Sequence, residues 1–282
     1  MERISAATDP EGASALAARI MAEANQEDTA PQGPPIVEVP FIDPPPDTTV
    51  RLPGGGLLDP DGTVHDVAVV RELNGADEEV LSKIEANKSQ IKFVQTLVRL
   101  GTESIGDYSK LDDKLMGELL VGDRETLLLA IRRATYGDEM NLTLVCPSCV
   151  SAVEAKFDLA SEIPIKELEY PNRRVEVKLR NGQVAVLGIP TAADQDAILS
   201  MPGKTNAEMN TALIGRCLIT IDGMPATGRS AALGLGAVDR RKISEALVEA
   251  QPGPKYGEVN LDCPGCGREF PLQVGLAELF RG

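Results

Sequence analysis

Two short stretches, "CPSC" at Cys146–Cys149 and "CPGC" at Cys263–Cys266, stand 117 residues apart, each at the end of a strand-like run. The interval is not confined to the cysteines. Asp77 of "NGADEEVLSK" and Asp194 of "TAADQDAILS" are also 117 apart, and Asp123 and Asp239 are 116 apart. "IKFVQTLVRLG" is echoed by "MNTALIGRCLITI", "GDRETLLLAIRRA" by "VDRRKISEALVEA", and "TYGDEMNLTLVCPSC" by "KYGEVNLDCPGC". An ordered series at a nearly constant offset predicts an α+β protein. Its expected architecture is a tandem duplication of a β-hairpin, helices and a cysteine knuckle. The expected parts are residues 1–48, an acidic Pro-rich arm; 49–165, the first repeat; and 166–282, the second. Two copies are too few for a solenoid, so a pair about a pseudo-twofold axis is expected.

The same offset explains the cysteines. One CxxC supplies two thiolates, and a structural zinc ion takes four in a tetrahedron. The chain has five cysteines and one histidine, so the economical site within one chain is Cys146, Cys149, Cys263 and Cys266. Each copy would bring half of one zinc-ribbon-like site, and Zn2+ would tie folding of the two together. Four thiolates leave no open position for water, which excludes catalytic zinc. A redox dithiol, an iron–sulfur cluster and a metal-free pair are the alternatives. Gly267 follows the second knuckle, where left-handed backbone is common, while Val150 stands in that place in the first.

Local signals fill in the copies. In the first, "VRLPGGGLLDPDGTVHDVAVVREL" reads as two strands around a loop, followed by one or two helices from Gly75. Asp123 is a plausible N-cap for a helix with Leu127, Leu128, Ile131 and Ala134 on one face, ended by Gly137. In the second, "RVEVKLRNGQVAVLGIP" reads as a hairpin with Asn181-Gly182 in a type I′ turn.

The net charge of −15 disfavours a nucleic-acid partner, which asks for a basic face. Near the knuckles only Lys156, Arg268 and a few neighbours could supply one, so a zinc-ribbon nucleic-acid regulator is the weaker reading. No apolar run approaches the roughly 20 residues of a membrane span. The opening residues lack a signal-peptide core, and a reducing cytoplasm is the expected site of synthesis. Residues 1–50 hold nine Asp/Glu and two Lys/Arg. Within them, 13–25 is a helix candidate, and seven prolines crowd the nineteen residues 29–47. That composition favours an extended backbone without its own core. Ile36, Val37, Val39, Phe41 and Ile42 would anchor such an arm on a partner.

Other candidates are weaker. Cys217, in an apolar helical run, reads as a buried small hydrophobe. His65 reads as a surface residue. Asp112, Asp113, Glu118, Asp123 and Glu125 read as a solvated helical surface, with a docking patch for a basic partner as the alternative. "PGGG" at Pro53–Gly56 lacks the Gly-Lys-Ser/Thr of a phosphate loop and reads as a flexible turn. No catalytic motif is present, so an enzyme is not expected; CxxC redox chemistry is the alternative.

A further pattern carries a resemblance. Leu52, Pro53, Gly54 and Gly56 are followed by Leu73, Gly75, Asp77 and Glu78. Asp123, Arg124 and Leu127–Leu129 come next, then Arg132, Tyr136 and Gly137, and then Cys146, Pro147 and Cys149. In this order they resemble the baseplate hub assembly proteins of T-even-like contractile-tailed phages, over about residues 50–165. The second copy joins through its repeat relation to the first. The resemblance implies a non-enzymatic part in building a tail baseplate. It also implies other baseplate or hub proteins as partners, a place in the virion tail or in the host cytoplasm during assembly, and multiple copies in a symmetric particle. Whether such a chain stays in the particle or acts as a transient chaperone is left open.

Overall fold

The computed structural model describes residues 48–86, 89–169, 173–272 and 278–280, all within the unit Pro44–Gly282. The helix candidate 13–25 and the arm residues Ile36, Val37, Val39, Phe41 and Ile42 lie outside the described residues.

β1 (Thr49–Arg51) pairs antiparallel with β4 (Val67–Val70), and β4 with β5 (Thr102–Ile105). Between β1 and β4 the chain makes the small hairpin of β2 (Leu57–Leu58) and β3 (Val64–His65). Helices α1 (Gly75–Ala86) and α2 (Gln90–Gly101) follow β4. α2 runs without a loop into β5, and the same is seen where α6 (Asn206–Cys217) meets β11 (Leu218–Ile221). The sequence echo treats these stretches as helix alone. The structure ends them as strands, since Thr102 and the β-branched run Ile219-Thr220-Ile221 suit a pleated surface better than a helical one. α3 (Asp113–Gly117) and α4 (Val121–Tyr136) complete the first helical layer. Leu52, Leu97, Ile105, Leu119, Leu127 and Ile131 form its centre, each at most 1% exposed.

β6 (Glu139–Val145) and β7 (Ala152–Asp158) make a long hairpin, and β8 (Ile165–Lys166) leads onward. The second half opens with β9 (Arg174–Lys178) and β10 (Val184–Gly188). α5 (Ala192–Leu199) follows, then α6, β11 and β12 (Met224–Pro225). α7 (Gly228–Gly234) and α8 (Ala237–Ala250) cover the sheet, whose order is β12-β11-β10-β9. β13 (Gly253–Pro254) pairs with β8, and β14 (Asn260–Asp262) with β15 (Glu269–Pro271). The architecture is mixed α+β with small antiparallel sheets. Among the described residues no helix is long and apolar enough to cross a membrane.

Two local features recur in both halves. The ladder slips between Val69 and Val70 in the first sheet and between Val186 and Leu187 in the second, 117 residues on. Asn74 and Asp77 bond reciprocally at the start of α1, and Thr191 and Asp194 make a full capping box at the start of α5.

The halves meet along α4 and α5. Leu119 and Val121 exchange backbone bonds with Ala192 and Pro190. Gly122 lies so close to Pro252 that a Cβ there would overlap the Pro252 carbonyl oxygen. Arg124, its side chain 5% exposed, meets Asp196 at 2.8 Å.

Several sequence expectations are corrected. Asp123 is not the N-cap of its helix, nor part of a solvated face: α4 begins at Val121 behind Leu120, and Asp123 is fully buried. Its carboxylate accepts the N–H groups of Gly54 at 2.6 Å and Gly56 at 3.0 Å. The glycine run is therefore a clamped loop, with Gly55 and Gly56 at φ 83° and 60°. A Cβ on Gly54 would sit 2.5 Å from the Asp123 carboxylate. His65 is 8% exposed, bonded through Nε2 to Asp59 at 3.0 Å and edge-on to Tyr108. In the Asn181-Gly182 turn only Gly182 has positive φ, at 92°. Gly182 donates back to Leu179, which gives a longer loop with a glycine bulge in place of type I′. Cys217 is 4% exposed, and burial pushes its thiol up to about 12, consistent with an inert apolar role.

Candidate metal centre

The first knuckle is the tip of the β6–β7 hairpin, whose register runs from Glu139↔Asp158 to Val145↔Ala152. Beyond it the Cys146 amide donates to the Ser151 carbonyl and the Val150 amide to the Cys146 carbonyl, both at 2.9 Å. The second knuckle repeats this at the tip of β14–β15. Cys263 donates to the Arg268 carbonyl at 3.0 Å and Gly267 to the Cys263 carbonyl at 2.8 Å. Such a turn needs left-handed backbone after its second cysteine. Gly267 has φ 67°, and Val150 takes φ 60°, a conformation that costs a β-branched residue about 1–2 kcal/mol.

The two tips face each other. Cys146 Sγ is 3.8 Å from Cys266 Sγ, and Cys149 Sγ is 3.5 Å from Cys263 Sγ. All four sulfurs lie within 4.8 Å of one another. Four thiolates about 2.3 Å from a central zinc would stand about 3.8 Å apart, so the cluster has the size of a tetrahedral zinc–sulfur site. A disulfide needs about 2.05 Å, and all five cysteines are free thiols. The four cysteines are thus close enough to hold one metal ion.

The surroundings favour thiolates unequally. The Ser151 hydroxyl and amide lower the Cys149 thiol to about 6, and the amides of Cys149 and Ser148 lower Cys146. The Arg268 amide favours the Cys266 thiolate too, but burial and the other thiols outweigh it and hold this group at about 11. A set that gives up its first protons readily and the last reluctantly is one that a divalent cation completes. The apolar support is small: Cys146 and Cys263, each 1% exposed, pack with Val153 and Phe270. Gly265 of the second tip lies against the first, where a Cβ would come 3.2 Å from Ser151 Oγ.

The cysteine spacing identified these four residues. Sequence reasoning missed the buried Asp123 and Arg124. The signal was there: an Asp-Arg pair inside "ELLVGDRETLLLAI", where a core helix carries charges only with partners.

Comparison with known proteins follows the same lines. The profile of a family described as "T4 bacteriophage base plate protein" matches residues 48–281. No curated protein matches the chain, and no solved structure does.

Proposed function

The chain belongs to the T4 bacteriophage base plate protein family, and from that premise we propose that it is a non-enzymatic structural or assembly protein of a contractile phage tail, acting through protein–protein contacts. One observation carries the mechanism: two hairpin tips far apart in sequence bring four sulfurs within 4.8 Å of one another. A structural Zn2+ on Cys146, Cys149, Cys263 and Cys266 would clamp the halves into one rigid body. The closest sulfur contacts run between the knuckles, which favours a shared metal over a CxxC redox pair. Against a nucleic-acid role, Lys156 is engaged by Glu139 at 2.9 Å, and the net charge is −15.

The same reading takes the chain as two tandem copies, 49–165 and 166–282. It is supported by the ladder slips 117 residues apart, by the paired caps of α1 and α5, and by left-handed backbone at Val150 and Gly267. Residues 1–48 are the arm, with Ile36, Val37, Val39, Phe41 and Ile42 as anchors on neighbouring baseplate or hub proteins, in a symmetric assembly in the virion tail. Its composition supports this: apolar residues spaced among prolines can add contacts where they cannot build a core.

The test has two parts. Native mass spectrometry should find one zinc per chain, lost in Cys263→Ser/Cys266→Ser. One zinc per dimer, or none, would overturn the intramolecular clamp. Phage whose gene for this chain is disrupted should make tails without complete baseplates, rescued by supplying the chain. Proteomics of purified tails then separates a resident subunit from an assembly factor that leaves. Normal baseplates without the chain would overturn the reading.

A further inference from the structure

Helix α5 is flanked by two cavities that share Gln195 and Leu199 in their walls. On the side of α6 and α8 lies an apolar one of about 380 Å3, formed by Ile198, Met209, Leu213 and Val248 among others. On the opposite side, a cavity of about 500 Å3 is bounded by the first turn of α2, by Val94 and by Arg124. Leu199 is 58% exposed and Val248 69%, so the apolar wall is open to solvent. Together the cavities form a cleft astride α5, apolar at one end.

The other end has a distinct electrostatic character. Ser89 precedes α2 but its side chain makes no cap bond, and the first turn of α2 holds no acidic residue. It holds Lys92 instead, exposed to solvent. A lysine at a helix N-terminus adds to the positive end of the helix dipole, where a carboxylate would ordinarily offset it. Arg124 backs the same cavity at 4% exposure. Its Nη1 is bonded to Asp196 and its Nη2 to Gln195, while Nε has no partner among the described residues. Asp196 is the carboxylate in this wall, and Arg124 and Gln95 already satisfy it, each at 2.8 Å. The α2 end therefore keeps a local positive surplus on a chain of net charge −15.

We propose that this cleft docks an apolar peptide segment of another tail protein, with an Asp or Glu side chain of that segment seated over the first turn of α2. Apolar side chains fill the cavity between α6 and α8. The carboxylate takes the free N–H groups at the helix start and the charge of Lys92. A neutral segment leaves that end unmatched, and a basic one is repelled. The proposal rests on the reading of this chain as a protein–protein assembly component.

The experiment uses the full zinc-loaded chain and fluorescence anisotropy of two short labelled peptides of Leu, Val and Ala, one ending in Glu and its twin in Gln. The Glu peptide should bind about tenfold tighter, and the preference should shrink in high salt. Lys92→Glu should abolish the preference. Leu199→Glu should abolish binding of both peptides. Both positions are exposed, and unchanged circular dichroism and zinc content would show that the variants fold. Equal binding of the twins, or undiminished binding by Leu199→Glu, overturns the proposal. So does a dimer of the chain that Leu199→Glu dissociates, which would give the cleft to a second copy. If the disrupted phage still makes normal baseplates, the assembly reading falls. If baseplates need the chain but the peptides fail these tests, only the cleft assignment falls.

Discussion

Val150 and Gly267 hold the same place in their knuckles, 117 residues apart, with φ of 60° and 67°. The turn that aims two thiols outward requires this backbone, and only glycine adopts it without steric cost. Val150 is 77% exposed, so its side chain gains little from burial to offset the strain.

Val150→Gly should therefore stabilise the zinc-loaded protein. Relief of left-handed strain is worth about 1–2 kcal/mol, less about 0.5–1 kcal/mol for the freer unfolded chain. The net gain should appear as a higher denaturation midpoint and as slower loss of zinc to a competing chelator. Gly267→Val should do the reverse. A lower midpoint for Val150→Gly would show that the valine side chain makes a contact that outweighs its strain.

The parts of this protein legible in the sequence are those fixed by local chemistry or by repetition. The four cysteines are found by spacing, the two hairpins that carry them by alternation and turns, and α4 by its Leu127–Leu128–Ile131 face. What was missed depends on tertiary contact. Nothing local distinguishes the buried Asp123 from its exposed neighbours Asp112 and Asp113. Only the backbone of Gly54 and Gly56, nearly seventy residues earlier, makes its burial tolerable. His65 looked like a surface residue for the same reason, since its partners Asp59 and Tyr108 come from a loop and from the residues after β5. The helix-to-strand junctions at Gly101 and Cys217 were hidden because an apolar run reads alike in either state.

Gly122 and Pro252 give a test of how the halves depend on each other. A Cβ on Gly122 would overlap the Pro252 carbonyl oxygen and lie 3.1 Å from the Gly253 Cα. Backbone cannot swing aside as a flexible side chain can. Gly122→Ala should cost about 2–4 kcal/mol in chemical denaturation, by forcing α4 away from β13. Gly75→Ala, at the start of α1 with nothing within 4 Å, should be neutral or mildly stabilising and serves as the control. Equal effects of the two changes would mean that the α4–β13 contact adjusts freely.

The Arg124–Asp196 pair should behave as a buried ion pair, with side chains 5% and 13% exposed. Removing one member leaves the other charged and poorly solvated. Arg124→Ala and Asp196→Asn should each destabilise by about 3–5 kcal/mol. The double variant should cost clearly less than the two together, because it leaves no orphaned charge. Additive losses in the double-mutant cycle would show that the two side chains are not energetically coupled.

Asp123 sets a pH dependence opposite in sign to that of the thiols. Burial pushes its carboxyl up to about 6, and the Gly54 amide, the Arg173 charge and the Gly56 amide only partly counter this. The unfolded chain titrates this group near 3.9, so the folded state binds the proton more tightly. For a carboxyl raised on folding, stability is fullest below the unfolded value and declines as pH rises through the folded one. Two units correspond to about 2–3 kcal/mol, lost between about pH 4 and pH 7. Zinc-bound thiolates act the other way, since acid releases the metal. Comparison with Asp123→Asn separates the two. Asn keeps one acceptor for the Gly54 amide but turns an amino group toward Gly56, so the variant should be less stable throughout. The diagnostic is the slope: the stability gap between wild type and variant should widen as pH falls from 7 to 5. In a carboxyl-carbon NMR titration, Asp123 should change near pH 6. A constant gap with a titration near pH 4 would mean that the Gly54–Gly56 clamp stabilises the carboxylate fully despite its burial.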